Sequence, residues 1–305
     1  MKKYYSHGKL LITGEYAVLD GAKALAVPTR FGQELQVEQT ETSGITWISL
    51  DETDSKWFEG SFILKGNKFI SQEEKPHDPT VSRLLQILNA AKDLKPDFFS
   101  ETKGFKITTK LEFNRNWGLG SSSTLINNIG TWLKVDAYKL LEKTFGGSGY
   151  DIAAAGQDSA FTFQLTQGQP SVLKSHFEPE FKESLFFVYL NQKQNSRQAI
   201  AHYRNQPKKD IGILVDKISG LTEQFLKCEN LTEFQLLIEL HETLISKAIH
   251  LPKIKTRLFP EFSGSIKSLG GWGGDFVLAT GKQESQQYFR KKGYETIIPF
   301  NTMIL

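Results

Sequence analysis

Apolar positions along this chain change their period several times, and each change marks a new element. Leu10, Leu11 and Ile12 read as a strand leading into Thr13-Gly14-Glu15. Ala24 to Val27 is a second apolar run, expected to end at Pro28, and Phe31 to Val37 reads as a third strand. From Glu38 to Lys75 a polar stretch dotted with Trp47, Ile48, Trp57, Phe62, Ile63 and Leu64 predicts hairpins with exposed turns. Asp78-Pro79-Thr80 then opens a helix, with Val81, Leu84, Leu85, Leu88 and Ala91 on one face and Lys95-Pro96 as its stop. Strict alternation of Phe105, Ile107, Thr109, Leu111 and Phe113 predicts a half-buried strand over Gly104 to Phe113.

Beyond it a glycine-serine turn at Gly118 to Ser123 enters an apolar helix bearing Leu125, Ile126, Ile129 and Leu133. A helix over Asp136 to Phe145 follows, and Gly146-Gly147-Ser148-Gly149 precedes a short small-residue helix at Asp151 to Ala155. Phe161, Phe163 and Leu165 alternate before a turn at Gly168-Gln169-Pro170. The second half reads as a strand near Leu185 and a helix carrying Ile211, Leu214, Val215, Ile218 and Leu221. Another helix carries Phe234, Leu237, Ile238 and Ile245. After these come a glycine-rich loop at Gly270 to Gly274, a strand at Phe276 to Ala279, a polar helix near Glu284 and a last strand at Glu295 to Phe300. Strands and helices mixed without strict alternation predict an α+β protein of two lobes, 1–175 and 176–305.

Composition narrows the function. Of 305 residues, 37 are basic and 34 acidic, leaving +3, which argues against nucleic acid or a membrane surface as the main partner. No apolar run approaches the roughly 18 residues of a membrane span. The basic N-terminus has no apolar stretch behind it, so no signal peptide is expected. One cysteine, Cys228, excludes an internal disulfide, and no Cys/His cluster suggests zinc. The expectation is a cytoplasmic enzyme, monomer or homodimer, acting on a small molecule.

Three glycine-rich segments and one aspartate carry candidate chemistry. In Trp117-Gly118-Leu119-Gly120-Ser121-Ser122-Ser123 the glycines allow close backbone approach, and the new helix offers unpaired N–H groups at its positive end. The serine hydroxyls add donors, or a ligand to a nucleotide-bound magnesium. A tight turn with a serine cap explains the same residues. It is neither a Walker loop nor a dinucleotide fingerprint. Asp151 reads first as a helix cap, the usual role of an aspartate at a helix start; its small neighbours also leave room for a carboxylate that orients or deprotonates a hydroxyl. Lys9 reads as a solvated strand edge or as a cation that keeps Asp151 ionised and neutralises a transferring phosphoryl group. Gly270-Gly271-Trp272-Gly273-Gly274-Asp275 could be a flexible hairpin. Together they outline phosphoryl transfer.

Here the sequence resembles a family. His7 to Leu19 is similar to the first motif of the GHMP kinases, Gly118 to Ser123 to their ATP phosphate-binding motif, and Gly270 to Asp275 to their third motif. Gly147 to Ala155 and the closing Asp275 most resemble the phosphomevalonate kinases and a bacterial subgroup named after the run Gly149-Tyr150-Asp151-Ile152-Ala153. The resemblance implies an S5-like N-terminal domain, a ferredoxin-like C-terminal domain and ATP with Mg2+ as cofactors. It implies Asp151 as base and Lys9 as its cation. Gly118, Leu119, Gly120, Ser121, Ser122 and Ser123 would hold the phosphates, with Ser122 on magnesium. Gly271, Gly273 and Gly274 would shape the acceptor loop, and Glu15 would be a structural ion-pair residue. Ser148, Lys193, Ser196 and Arg197, with Arg115 beside them, are candidates for a phosphorylated acceptor; a solvated charged turn is the plain alternative for the charged ones. His7 departs from the family's usual proline, and Trp272 stands where glycine is expected and would narrow the acceptor pocket.

The implied activity is an ATP-dependent kinase acting on phosphomevalonate. The alternatives are mevalonate or another hydroxyl metabolite, a diphosphomevalonate decarboxylase, or a metabolite-binding relative without turnover.

Overall fold

A computed structural model describes residues 1–72, 78–99, 104–207 and 210–305. The chain forms two compact units, each discontinuous in sequence. One comprises Met1–Gly8, Phe31–Arg115 and Gly120–Gly156, the other Lys9–Arg30, Asn116–Leu119 and Gln157–Leu305.

In the first unit, β1 (Lys2–Leu11) pairs with β2 (Ala24–Thr40). Contrary to expectation β2 is one strand running through Pro28. Proline cannot donate to a ladder. It sits between the β2 residues paired with β6, which begin at Gln33, and those paired with β7, which end at Ala26, so neither of those two ladders needs its N–H. β3 (Gly44–Leu50), β4 (Lys56–Lys65) and β5 (Lys68–Ser71) form the expected antiparallel hairpins; Lys75, where the polar stretch was expected to end, lies outside the described residues. α1 (Pro79–Leu94) starts as predicted, the Asp78 carboxylate accepting from the Thr80 N–H at 2.6 Å. β6 (Gly104–Leu111) then lies parallel to β3 and antiparallel to the second half of β2.

α2 (Ser121–Leu133), α3 (Ala137–Glu142) and α4 (Tyr150–Ala155) complete this unit. Its core joins alternate residues of β3, β4 and β6 to one face of α1 and α2. Trp47, Phe62, Leu84, Leu88, Ile107 and Ile126 are buried in it. Phe98, Phe99, Phe105 and Trp132 meet mostly edge to face, the arrangement aromatic quadrupoles favour.

In the second unit, β7 (Phe161–Thr166) pairs with the first half of β2 and with β8 (Gln169–Lys174). After β9 (Leu185–Tyr189) come α5 (Ser196–Arg204), α6 (Ile211–Lys227), α7 (Leu231–Ile249) and α8 (Ile254–Leu258). The chain ends with β10 (Ile266–Ser268), β11 (Phe276–Thr280), α9 (Gln286–Lys291), β12 (Ile297–Pro299) and α10 (Phe300–Met303). The antiparallel sheet runs β10-β11-β9-β12. With helices after its first and third strands this is a ferredoxin-like order, as the resemblance implied. β10 and α10, three and four residues long, lack enough sequence for a period to register. No helix among the described residues is long and apolar enough to cross a membrane.

Candidate active site

In the first unit Gly120 forms the N-cap of α2 at φ 90°, and no side chain caps the turn that follows. Those first amides lack intrahelical acceptors and lie at the positive end of the helix dipole. Ser121 and Ser122 are half-buried there. Ser123 turns inward, its hydroxyl donating to the Gly120 carbonyl at 2.8 Å. A hydrogen bond from Thr124 to Gln33 Oε1 at 2.7 Å fastens this turn to β2.

α4 packs against α2 and carries Asp151, half-buried, in its first turn. Gly149, at φ 86°, precedes it, and a side chain at that position would meet the Tyr138 ring at 3.0 Å. Burial, with the Asp136 and Asp151 carboxylates nearby, raises the Tyr138 phenol above its ordinary value. Ser148 is half-buried in the same loop, and the exposed Arg115 lies 4.3 Å from the centre of the Trp57 ring.

Within the second unit the residues converge. Lys9 Nζ donates to the Gly118 carbonyl at 3.2 Å, and its backbone N–H to the Leu119 carbonyl at 3.0 Å. The buried Asp275 accepts the Gln194 N–H on Oδ1 at 3.2 Å. Burial raises its carboxyl, and the Gln194 N–H, Lys9 and Lys193 oppose that rise. Gly271 and Gly274 are glycine because Gln194 lies where a side chain would stand, its Cβ 2.5 Å from the position of a Gly271 Cβ. Gly273, at φ 87°, packs on Arg257. Trp272 is buried, its indole donating to the Pro252 carbonyl at 2.9 Å and its N–H to Tyr16 Oη at 2.9 Å. Lys193, Ser196 and Arg197 are exposed on the turn into α5, where Asn195 caps the helix through the Arg197 N–H at 3.1 Å.

Beneath the first motif lies a buried charge cluster. Lys267 Nζ binds Glu15 Oε1 and reaches Glu242 Oε1 at 3.2 Å. His241 Nε2 accepts the Gly14 N–H at 3.0 Å. Burial and Lys267 hold His241 well below its ordinary range, so its 3.3 Å approach to Glu15 Oε2 joins a neutral ring to a carboxyl. One ammonium faces two carboxyls, and burial pushes Glu242 from its ordinary 4.5 to about 7. The folded protein therefore holds a proton on Glu242 that the unfolded chain has already lost. That stability is complete below pH 4.5 and is gone above about pH 7, a loss of about 3 kcal/mol. Glu242→Gln is expected to shrink the fall in the thermal midpoint between pH 5 and pH 8; an unchanged fall would refute the assignment.

Lys9, Gly118 and Leu119 thus meet in one unit, and Asp151, Ser148 and Gly120 to Ser123 belong to the other. Sequence reasoning gave no role to Asp275, Tyr16 or Lys267. The signal for Asp275 was its place as the one carboxylate closing a glycine run.

No family model matches the sequence, and a search of curated proteins finds no match. Solved structures do match. Mevalonate kinase from Methanococcus jannaschii shares 16% identity at a TM-score of 0.68, over 97% of this chain and 96% of that one. Phosphomevalonate kinase from Streptococcus pneumoniae, in complex with phosphomevalonate and AMPPNP, shares 15% at 0.68, over 97% and 99%. A D-glycero-D-manno-heptose 1-phosphate kinase from Bacteroides thetaiotaomicron shares 17% at 0.65, over 97% and 94%. The chain has the GHMP kinase fold.

Proposed function

We propose that this protein is an ATP-dependent kinase of small metabolites and that its acceptor is phosphomevalonate. The observation that carries the reading is the meeting of Lys9, from the first glycine motif, with Gly118 of the second and Asp275 of the third in a chain of this fold. Such a reaction needs positioning and charge stabilisation more than covalent chemistry. Asp151 would orient or deprotonate the acceptor hydroxyl, and Lys9 would neutralise charge on the transferring phosphoryl group. Gly118 to Ser123 would cradle the nucleotide phosphates. The half-buried Ser121 and Ser122 offer hydroxyls at an uncapped helix start, which fits an anion and its magnesium; Ser122 would be the metal ligand. Ser123, with its hydroxyl already engaged, would serve through its N–H. Lys193, Ser196 and Arg197 would meet the acceptor's existing phosphate, with Ser148 and the loop of Gly271, Gly273 and Gly274 completing the acceptor site.

ADP release from ATP-Mg is expected with mevalonate 5-phosphate, and neither with (R)-mevalonate nor without acceptor. Release with mevalonate alone would keep the kinase and overturn the acceptor. Silence with both would overturn this function, and nucleotide binding without turnover would then mark a binding protein.

A further inference from the structure

The third glycine segment places its residue types oddly. Of its six residues, Gly270, Gly273 and Asp275 have positive φ, at 70°, 87° and 55°. A left-handed backbone is cheap for glycine and costs an L residue energy. Aspartate is among the few L residues that enter this region readily, so what singles out Asp275 is where its carboxylate goes.

That side chain is fixed by the sheet and aimed at the second motif. The Asp275 N–H donates to the Gln192 carbonyl at 2.7 Å, and the Leu190 N–H donates to the Asp275 carbonyl at 2.8 Å. Its carboxylate then fills the space beside Gly118: a Cβ there would stand 2.5 Å from Oδ2 and 2.6 Å from Oδ1. Lys9 holds Gly118 through the carbonyl. The carboxylate and the ammonium thus grip one glycine from two directions.

We propose that Asp275 is a positioning residue that sets Gly118 and the Lys9 ammonium for phosphoryl transfer. The proposal rests on the kinase reading above, and acts through Lys9. Asp275→Asn keeps the shape and the bond from Gln194 while removing the charge. It is expected to lower kcat about 10–100-fold with the KM for ATP little changed. In a Lys9→Met background the same substitution is expected to cost nothing further, because the group it positions is gone. Equal losses in both backgrounds would overturn the proposal.

A thermal cycle tests the contact without turnover. Gly118→Ala is expected to lower the unfolding midpoint strongly in the parent and much less in an Asp275→Ala background; left-handed strain at 118 is common to both and cancels. Equal drops would overturn the contact. If the wild type phosphorylates no acceptor, the kinase reading fails and the positioning role falls with it, while the cycle still decides whether Asp275 packs on Gly118.

Discussion

Lys267→Met is expected to lower the stability of the fold by about 3–5 kcal/mol. The ammonium is fully buried and is shared between Glu15 and Glu242, which are themselves 2% and 1% exposed. Methionine fills the stem's volume but leaves two carboxyls without a cation. Transfer of an unpaired carboxylate from water is prohibitive, so the variant folds only by protonating both. Protons are then bound by the native state and not by the unfolded chain, and stability must rise as pH falls towards the ordinary carboxyl value of 4.5. Urea denaturation at pH 5 and pH 8 reads this directly: the loss should be large at pH 8 and smaller at pH 5. A loss below about 1 kcal/mol at pH 8 would place the site in the range of solvated surface pairs and discard the cluster. Adding Glu15→Gln and Glu242→Gln to Lys267→Met should recover part of the loss, since no charge then remains to desolvate.

This cluster also shows where sequence reading stops. Phe234, Leu237, Ile238 and Ile245 mark the inner face of α7, and the same spacing puts His241 and Glu242 on it. The pattern was legible, but polar residues on an apolar face carry no label saying what they meet. Lys267 was less visible still, because Ser265-Ile266-Lys267-Ser268 is too short for a strand period and its partner Glu15 is 252 residues away. Glu15 reads as an ion-pair residue through the resemblance alone. The elements of the first unit were largely readable, since α1, α2 and β6 each have a strong period and a plain boundary. β2 was not, because Pro28 is a local stop signal and only the pairing of its neighbours shows that the β6 and β7 ladders leave it out.

The candidate site divides similarly. Gly118 and Gly120 read as residues that let the backbone approach a ligand, and each has a positive φ. Gly271 and Gly274 are acceptor-loop residues by the resemblance alone, and the structure gives them a packing reason, the side chain of Gln194. Nothing in the local sequence of Gln192-Lys193-Gln194 announces that neighbour.

Asp151→Asn and Lys9→Ala are each expected to cut turnover about 10²–10⁴-fold, the range of general acid–base and charge-stabilising groups. Both should do so with little change in the fold. Asp151 is half-buried in the first turn of a six-residue helix, where its charge is worth about 0.3–1 kcal/mol. Asparagine preserves its shape, so the thermal midpoint should move little while kcat collapses. The Lys9 side chain donates to the Gly118 carbonyl at 3.2 Å, and its backbone bond to Leu119 is kept when the side chain is cut back to alanine. If the two act on one transition state their effects are not additive, and the double variant should be scarcely slower than the worse single one. Additive losses would show that the two residues act independently of each other. Near-normal turnover in either single variant, with the midpoint unchanged, would remove that residue from the chemistry and leave Asp151 a first-turn carboxylate at the positive end of α4 or Lys9 a strap on Gly118.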